Sequence, residues 1–189
     1  ANPMNLKKSL VWDAHAGLFP SSEMDLDNLL SWQEYNVNYL SINVGFDVMS
    51  RDATLATLAA YRRWLMARPD QFLLAGTLSD IYNARDKGRL AISFDIEGMN
   101  ALGGDINMVE IYHTLGVRQM LFSYNLNNSA AGGCHDIDIP LTKFGVEILA
   151  EMNRVGIIVD ASHVSYLSSM ELIERSSSPV VFSLSLIHI

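Results

Sequence analysis

Cysteine is almost absent. Cys134 stands alone among 189 residues, which excludes an internal disulfide and a zinc cluster built from thiolates. Positive charge is also scarce: 13 Lys and Arg face 21 Asp and Glu, for a formal net charge of −8. That balance argues against nucleic acid as a partner and suits an enzyme acting on a small molecule. No run approaches the roughly 18 apolar residues of a membrane span. Residues 1–10 hold two lysines and no apolar signal-peptide core, which favours a cytoplasmic location where Ala1 is the natural start. The glycines spell neither a P-loop nor a GxGxxG fingerprint, so nucleotide-dependent chemistry has no support.

What is present is the balance of a packed globular domain, with 49% hydrophobic and 18% charged residues. The chain is long enough for one domain with a sizeable core, yet shorter than the roughly 250 residues of a complete eight-stranded (β/α) barrel. With no Met at position 1 and a stop directly after an apparent strand, it is expected to be one barrel domain over 1–189, truncated at its carboxyl end. The stretch 141–163, LTKFGVEILAEMNRVGIIVDASH, shows the repeating unit. Phe144, Ile148, Leu149 and Met152 recur at helical spacing, Glu147, Glu151 and Arg154 supply the polar face, and Gly156 ends the run. Ile157, Ile158 and Val159 then form a short strand without alternation, as expected where both faces of a parallel sheet are covered. The same reading predicts strands over 9–13, 39–44, 72–75, 90–96, 117–122, 157–159 and 180–182. Helices are predicted over 25–36, 54–67, 78–87, 106–115, 142–154 and 166–175. Asp25 is expected to cap the first helix and Gly45 to end the second strand. Sustained βα alternation predicts a parallel sheet or barrel.

Polar and ionisable residues gather just past the predicted strands: Asp13 and His15, Glu97, Tyr124 and Asn125, then Asp160, Ser162 and His163. Parallel strands bring such ends to one face, where (β/α) folds keep their chemistry. His15, Glu97 and His163 offer two imidazoles and one carboxylate, the donor types of a hydrolytic zinc site. A lone histidine at a strand end is more often structural, but three such groups at corresponding ends reverse that balance. Cys134 and His135 are weaker candidates for a nucleophile and base, because adjacent side chains in a Gly-rich loop rarely face one another. His113 is expected on a helix surface. The polar stretch beginning at Ser123 is the longest irregular segment and is expected to be functional or mobile.

The wording FGVEILAEMNRVGIIVDASHVS, followed by SSPVVFS, resembles the renal (membrane) dipeptidase family of metallopeptidases, family M19, over nearly the whole chain. The resemblance implies an α/β fold, a TIM-like (β/α) barrel with about six of its eight βα units present. It further implies zinc-dependent hydrolysis of dipeptides by a metal-activated water. His15 falls on the first-strand metal ligand, Glu97 on the carboxylate that bridges two zinc ions, and His163 on a ligand of the second zinc. Three positions depart from the family pattern. Gly17 stands where members carry an aspartate ligand. Tyr124 stands where many have a substrate-binding histidine, and its phenol can still donate a hydrogen bond to a developing oxyanion. Leu184 stands at the last ligand histidine, beyond which SLSLIHI no longer matches and His188 reads as incidental. The implied cofactor is one or two zinc ions with the second site weakened. The implied partner is a dipeptide or similar small substrate, and a homo-oligomer is compatible with the pattern. Two rival readings stay open: an amide or lactone hydrolase of the same fold, and a catalytically silent homologue that only binds.

Overall fold

The computed structural model describes residues 9–184, and its middle is β4 (Leu90–Glu97), every residue of which is buried. The strand alternates after all. Leu90, Ile92, Phe94 and Ile96 belong to the main apolar core, while the opposite face carries Ala91, Ser93, Asp95 and Glu97. β2 (Tyr39–Phe46) lies parallel to it and repeats the pattern, pairing Ser41 with Ser93 and Asn43 with Asp95. Large apolar side chains thus pack outward under the helices, and the inner face of the sheet is polar. The order is β1 (Trp12–Ala16), β2, β4, β5 (Val117–Leu121), β6 (Ile158–Asp160) and β7 (Val180–Val181), all parallel. β3 (Phe72–Leu74) shares an edge of β4 with β5: it pairs Leu90 to Ile92, and β5 takes over from Phe94.

The sheet is curled into part of a barrel, as the side chains require. β1 and β6 stand two neighbours away from β4 on either side, roughly 10 Å each in a flat sheet. The side chains of His15 in β1 and of His163, three residues past β6, nonetheless both reach the carboxyl end of β4. Among the described residues β1 pairs only with β2 and β7 only with β6, so the barrel is open there.

Helices α1 (Leu30–Glu34), α2 (Arg51–Met66), α3 (Leu78–Asp86), α4 (Met108–Leu115), α5 (Lys143–Val155) and α6 (Tyr166–Arg175) fill the crossovers. In α5, Thr142 Oγ1 accepts from Gly145 N at 3.0 Å as the cap, Ile148, Leu149 and Met152 are buried, and Gly156 closes the helix at φ 88°. α3 opens on a capping box. Thr77 Oγ1 accepts from Asp80 N at 3.2 Å and Asp80 Oδ2 accepts from Thr77 N at 2.8 Å. Slight burial works against the anion, but hydrogen bonds from Thr77 and Gly76 and the charge of Arg118 hold Asp80 below its ordinary 3.8. Asp80→Asn should therefore cost about 0.3–1.5 kcal/mol at pH 7. A depressed carboxyl contributes only while ionised, so the gap from the parent should shrink as pH falls below 3.8. Thermal unfolding of both full-length proteins at pH 7 and pH 3 reads this, and an equal gap at the two pH values contradicts it.

Several boundaries differ from expectation. β1 begins three residues later than expected, so Asp13 and His15 lie within it rather than beyond it. An irregularity explains the slip: Asp13 pairs with Leu40 but Ala16 with Ile42, which leaves one extra residue in β1 around His15. Gly45 does not end β2. The strand runs on to Phe46, and a Cβ at Gly45 would lie 2.4 Å from Thr54 Oγ1, so this glycine lets α2 approach the strand. α2 starts at Arg51, earlier than expected, because Ser50 Oγ accepts from Ala53 N. The first helix shrinks to a 3₁₀ turn (Asp27–Leu29) followed by α1, and Asp25 Oδ1 accepts from Asp27 N without serving as its cap residue. His113 is half-buried rather than a surface residue, with burial pushing its pKa down. His188 lies outside the described residues.

Candidate metal and substrate cleft

Glu97 ends β4 on the inner face, and its Oε1 lies 3.5 Å from Nε2 of His15 and 3.5 Å from Nε2 of His163. The three side chains singled out from the sequence therefore meet. Both imidazoles are turned by their other nitrogen. His15 Nδ1 donates to Asp95 Oδ1 at 2.9 Å, and His163 Nδ1 donates to Asn125 Oδ1 at 2.9 Å. A carboxylate and an amide oxygen only accept, so each Nδ1 carries the hydrogen and each Nε2 faces Glu97. His15 is sealed in, its side chain 6% exposed. Burial lowers its pKa, but the hydrogen bond and charge of Asp95, with the charges of Glu97 and Asp160, outweigh burial and hold it at about 9.

Backbone geometry is unusual at the same place. His163 and Asn125 sit at φ 64° and φ 63°, the left-handed region, where non-glycine residues are uncommon. Neighbouring loops hold them there: Cys134 N donates to His163 O at 2.9 Å and His135 N donates to Asn125 O at 2.8 Å. Cys134 and His135 thus serve through their backbone, and the Cys134 thiol points at Asn125 Oδ1, 3.5 Å away.

Beneath the cleft floor lies a polar layer that the sequence reading missed. Asp95, fully buried, accepts from His15, from Ser41 Oγ at 2.6 Å and from Asn43 Nδ2 at 3.1 Å. Asn43 Oδ1 is buried with no partner among the described residues, leaving an unspent acceptor on a residue of the cleft wall. An Asp inside the apolar run of β4 was the available signal, since a buried charge needs partners. Asp160 is likewise structural, accepting from Gln119 Nε2 at 2.8 Å, from Ser162 N at 2.8 Å and from Ser183 Oγ. Asp13 turns away from the cleft, accepting from Trp32 Nε1 at 3.1 Å.

The cleft itself is about 260 Å³, with His15, Glu97 and His163 at its base and Phe19, Phe46 and Tyr124 among its walls. Tyr124 packs edge-on at 5.4 Å from Phe46 and tilted at 4.9 Å from His163 between ring centroids, and its hydroxyl makes no hydrogen bond among the described residues. Imidazole lone pairs beside a shared carboxylate are a donor set that fits a divalent transition metal. Among the described residues no three His, Cys, Asp or Glu converge on one point. What the residues fit is a cation on either side of Glu97, each reached by one imidazole and one carboxylate. A Cβ at Gly17 would lie 3.7 Å from His15 Nε2, so residue 17 stands beside that nitrogen without offering a ligand. Leu184 brings no ligand either and borders a separate apolar depression against α6.

A parallel sheet curled into part of a (β/α) barrel, with imidazoles and a carboxylate gathered at the carboxyl ends of its strands, belongs to the TIM-barrel type of α/β protein. Comparison with known proteins narrows this. An amidohydrolase from Pseudomonas aeruginosa superposes with a TM-score of 0.86 at 28% identity, over 94% of this chain and 53% of that one. A metallo peptidase from Rhodobacter sphaeroides, solved with a phosphinate mimic of the dipeptide L-Ala-D-Ala, shares the fold with a TM-score of 0.77 at 16% identity, over 92% of this chain and 64% of that one. The dipeptidase aclJ of Aspergillus oryzae is 32% identical over 124 residues, which are 61% of this chain and 28% of that protein. The chain thus spans only part of the relatives it matches. The chain belongs to the membrane dipeptidase family, peptidase family M19, whose sequence model matches residues 2–188.

Proposed function

We propose that this chain supplies the metal-holding and carbonyl-facing part of a zinc-dependent hydrolase of dipeptides. The supporting observation is Glu97 Oε1 set 3.5 Å from two Nε2 atoms whose rings are locked by Asp95 and Asn125. Zinc, when bound, supplies Lewis acidity and a nucleophilic water at neutral pH. Glu97 would hold a cation together with His15 on one side and together with His163 on the other. Asp95 and Asn125 keep the imidazoles in the tautomer that presents Nε2, as second-sphere partners do. The free Tyr124 hydroxyl donates to the carbonyl oxygen of the scissile bond as negative charge develops there. Phe19, Phe46 and Tyr124 give the cleft an aromatic wall.

The test is a substrate screen on the metal-loaded full-length protein. Turnover of dipeptides without turnover of lactones or simple amides supports the reading. The reverse pattern replaces it with the amide or lactone hydrolase, and metal uptake with no turnover points to a silent binding homologue.

Gly17 permits a sharper check. Gly17→Asp places a carboxylate beside His15 Nε2, where a Cβ would make only an ordinary contact at 3.7 Å. Zinc titration should show the weaker of two sites tightening by about tenfold or more, the effect of roughly 1.4 kcal/mol. Two equally tight sites already present in the parent would contradict the expectation of a weakened second site.

A further inference from the structure

Asp47 follows Phe46 just past β2, and none of the ion pairs among the described residues involves its carboxylate. Three donors satisfy it instead. Asn100 N donates to Oδ1 at 3.0 Å, while Tyr124 N at 3.0 Å and Asn128 Nδ2 at 2.8 Å donate to Oδ2. Asn100 Nδ2 returns a bond to the Asp47 backbone oxygen at 3.1 Å. The two segments held in this way are those that follow β4 and β5, one leaving from Glu97 and the other carrying Tyr124.

The fit is close on both sides. The 3₁₀ turn Met99–Leu102 has no side-chain cap of its own, so Asp47 caps it from the turn after β2. Gly98, next to Glu97, sits at φ 109°, and a Cβ there would lie 2.1 Å from the Asp47 carboxylate. On the other side, Asn128 organises the loop after Tyr124. Its Nδ2 also donates to Phe122 O at 2.8 Å, and its Oδ1 accepts from Ala130 N at 2.8 Å and Ala131 N at 3.0 Å. One carboxylate therefore joins the ends of three parallel strands, and it does not line the cleft.

We propose that Asp47 is a positioning residue that clamps the Glu97 turn and the Tyr124 loop in the relative placement the cleft uses, without contacting cation or substrate. What the clamp serves rests on the hydrolase reading above, whereas the clamp itself is judged separately.

Asp47→Asn keeps the shape but turns an NH₂ donor toward donors. In the full-length variant, hydrogen exchange of peptides covering residues 98–103 and 122–133 should accelerate by about tenfold, the change for one lost buried hydrogen bond. Peptides from α2 and α5 should keep parent rates. Zinc affinity, read by competition with a chelator, should fall about 10- to 100-fold, the range for second-sphere partners. Where the parent cleaves dipeptides, the effects of Asp47→Asn and Tyr124→Phe on kcat should be less than additive, because the first acts through the second. Unchanged exchange in the two loops overturns the proposal. So does uniform acceleration across the chain, which makes Asp47 a general folding residue, and so does loosened loops with parent zinc affinity. A parent that takes up no zinc sinks the hydrolase reading instead, and the exchange rates then judge the clamp alone.

Discussion

Glu97→Gln in the full-length protein should strip the divalent cation while leaving the unfolding transition cooperative. Gln fills the same space at the end of β4, so packing around Phe94 and Ile96 is untouched. What goes is the anionic oxygen that faces both imidazoles at 3.5 Å. Removing one partner from a buried charge pair costs about 3–5 kcal/mol, which is two orders of magnitude or more in affinity. His163→Ala removes a donor from one side only and should leave part of the metal, held by His15. Elemental analysis beside thermal unfolding decides. Parent-like zinc content in Glu97→Gln would remove this carboxylate from the metal site, and parent-like content in His163→Ala would do the same for that imidazole.

Residues 1–189 produced alone should self-associate or remain loosely packed, and should not turn over dipeptides. β1 and β7 each leave a backbone edge without a neighbour among the described residues, and such edges invite pairing with another chain. Beside β7, Tyr166, Met170, Ile173 and Phe182 are 69%, 37%, 48% and 44% exposed, around an apolar depression of about 660 Å³. Each apolar side chain left in water forgoes roughly 1.5–3 kcal/mol, against a domain stability of about 5–15 kcal/mol. Light scattering should show species larger than the monomer at micromolar concentration. A monomer with a sharp unfolding transition would show that the open barrel is self-sufficient.

Much of this architecture is legible in the residues. The runs at Tyr39 and Leu90 are long, apolar and bounded by turns, so β2 and β4 fall where expected. The α5–β6 unit also matches, because its helical period, closing glycine and strand follow in unbroken order. β1 was harder. The residues Asp13, Ala14, His15 and Ala16 alternate polar side chains with nothing more apolar than alanine, and an extra residue disrupts their register, a feature that no local pattern announces. The meeting of His15, Glu97 and His163 was readable through their positions and the family wording. Its supports were not: Asn125 meets His163 across 38 positions of sequence, and Asp47 meets Tyr124 across 77. Contacts of that range arise only once the sheet has curled. Gly45 shows the opposite error, a glycine read as punctuation that in fact makes room for Thr54.

The solitary thiol has a practical consequence. Cys134 is exposed, and its Sγ–H donates to Asn125 Oδ1, the same atom that receives His163 Nδ1. With one cysteine in the sequence, a maleimide dye attaches to this segment at a single point. The dye then stands beside Asn125, the side chain that accepts from His163 Nδ1. If His163 takes a cation as proposed, the dye's emission becomes an optical gauge of its arrival, readable in a stopped-flow instrument without substrate or turnover.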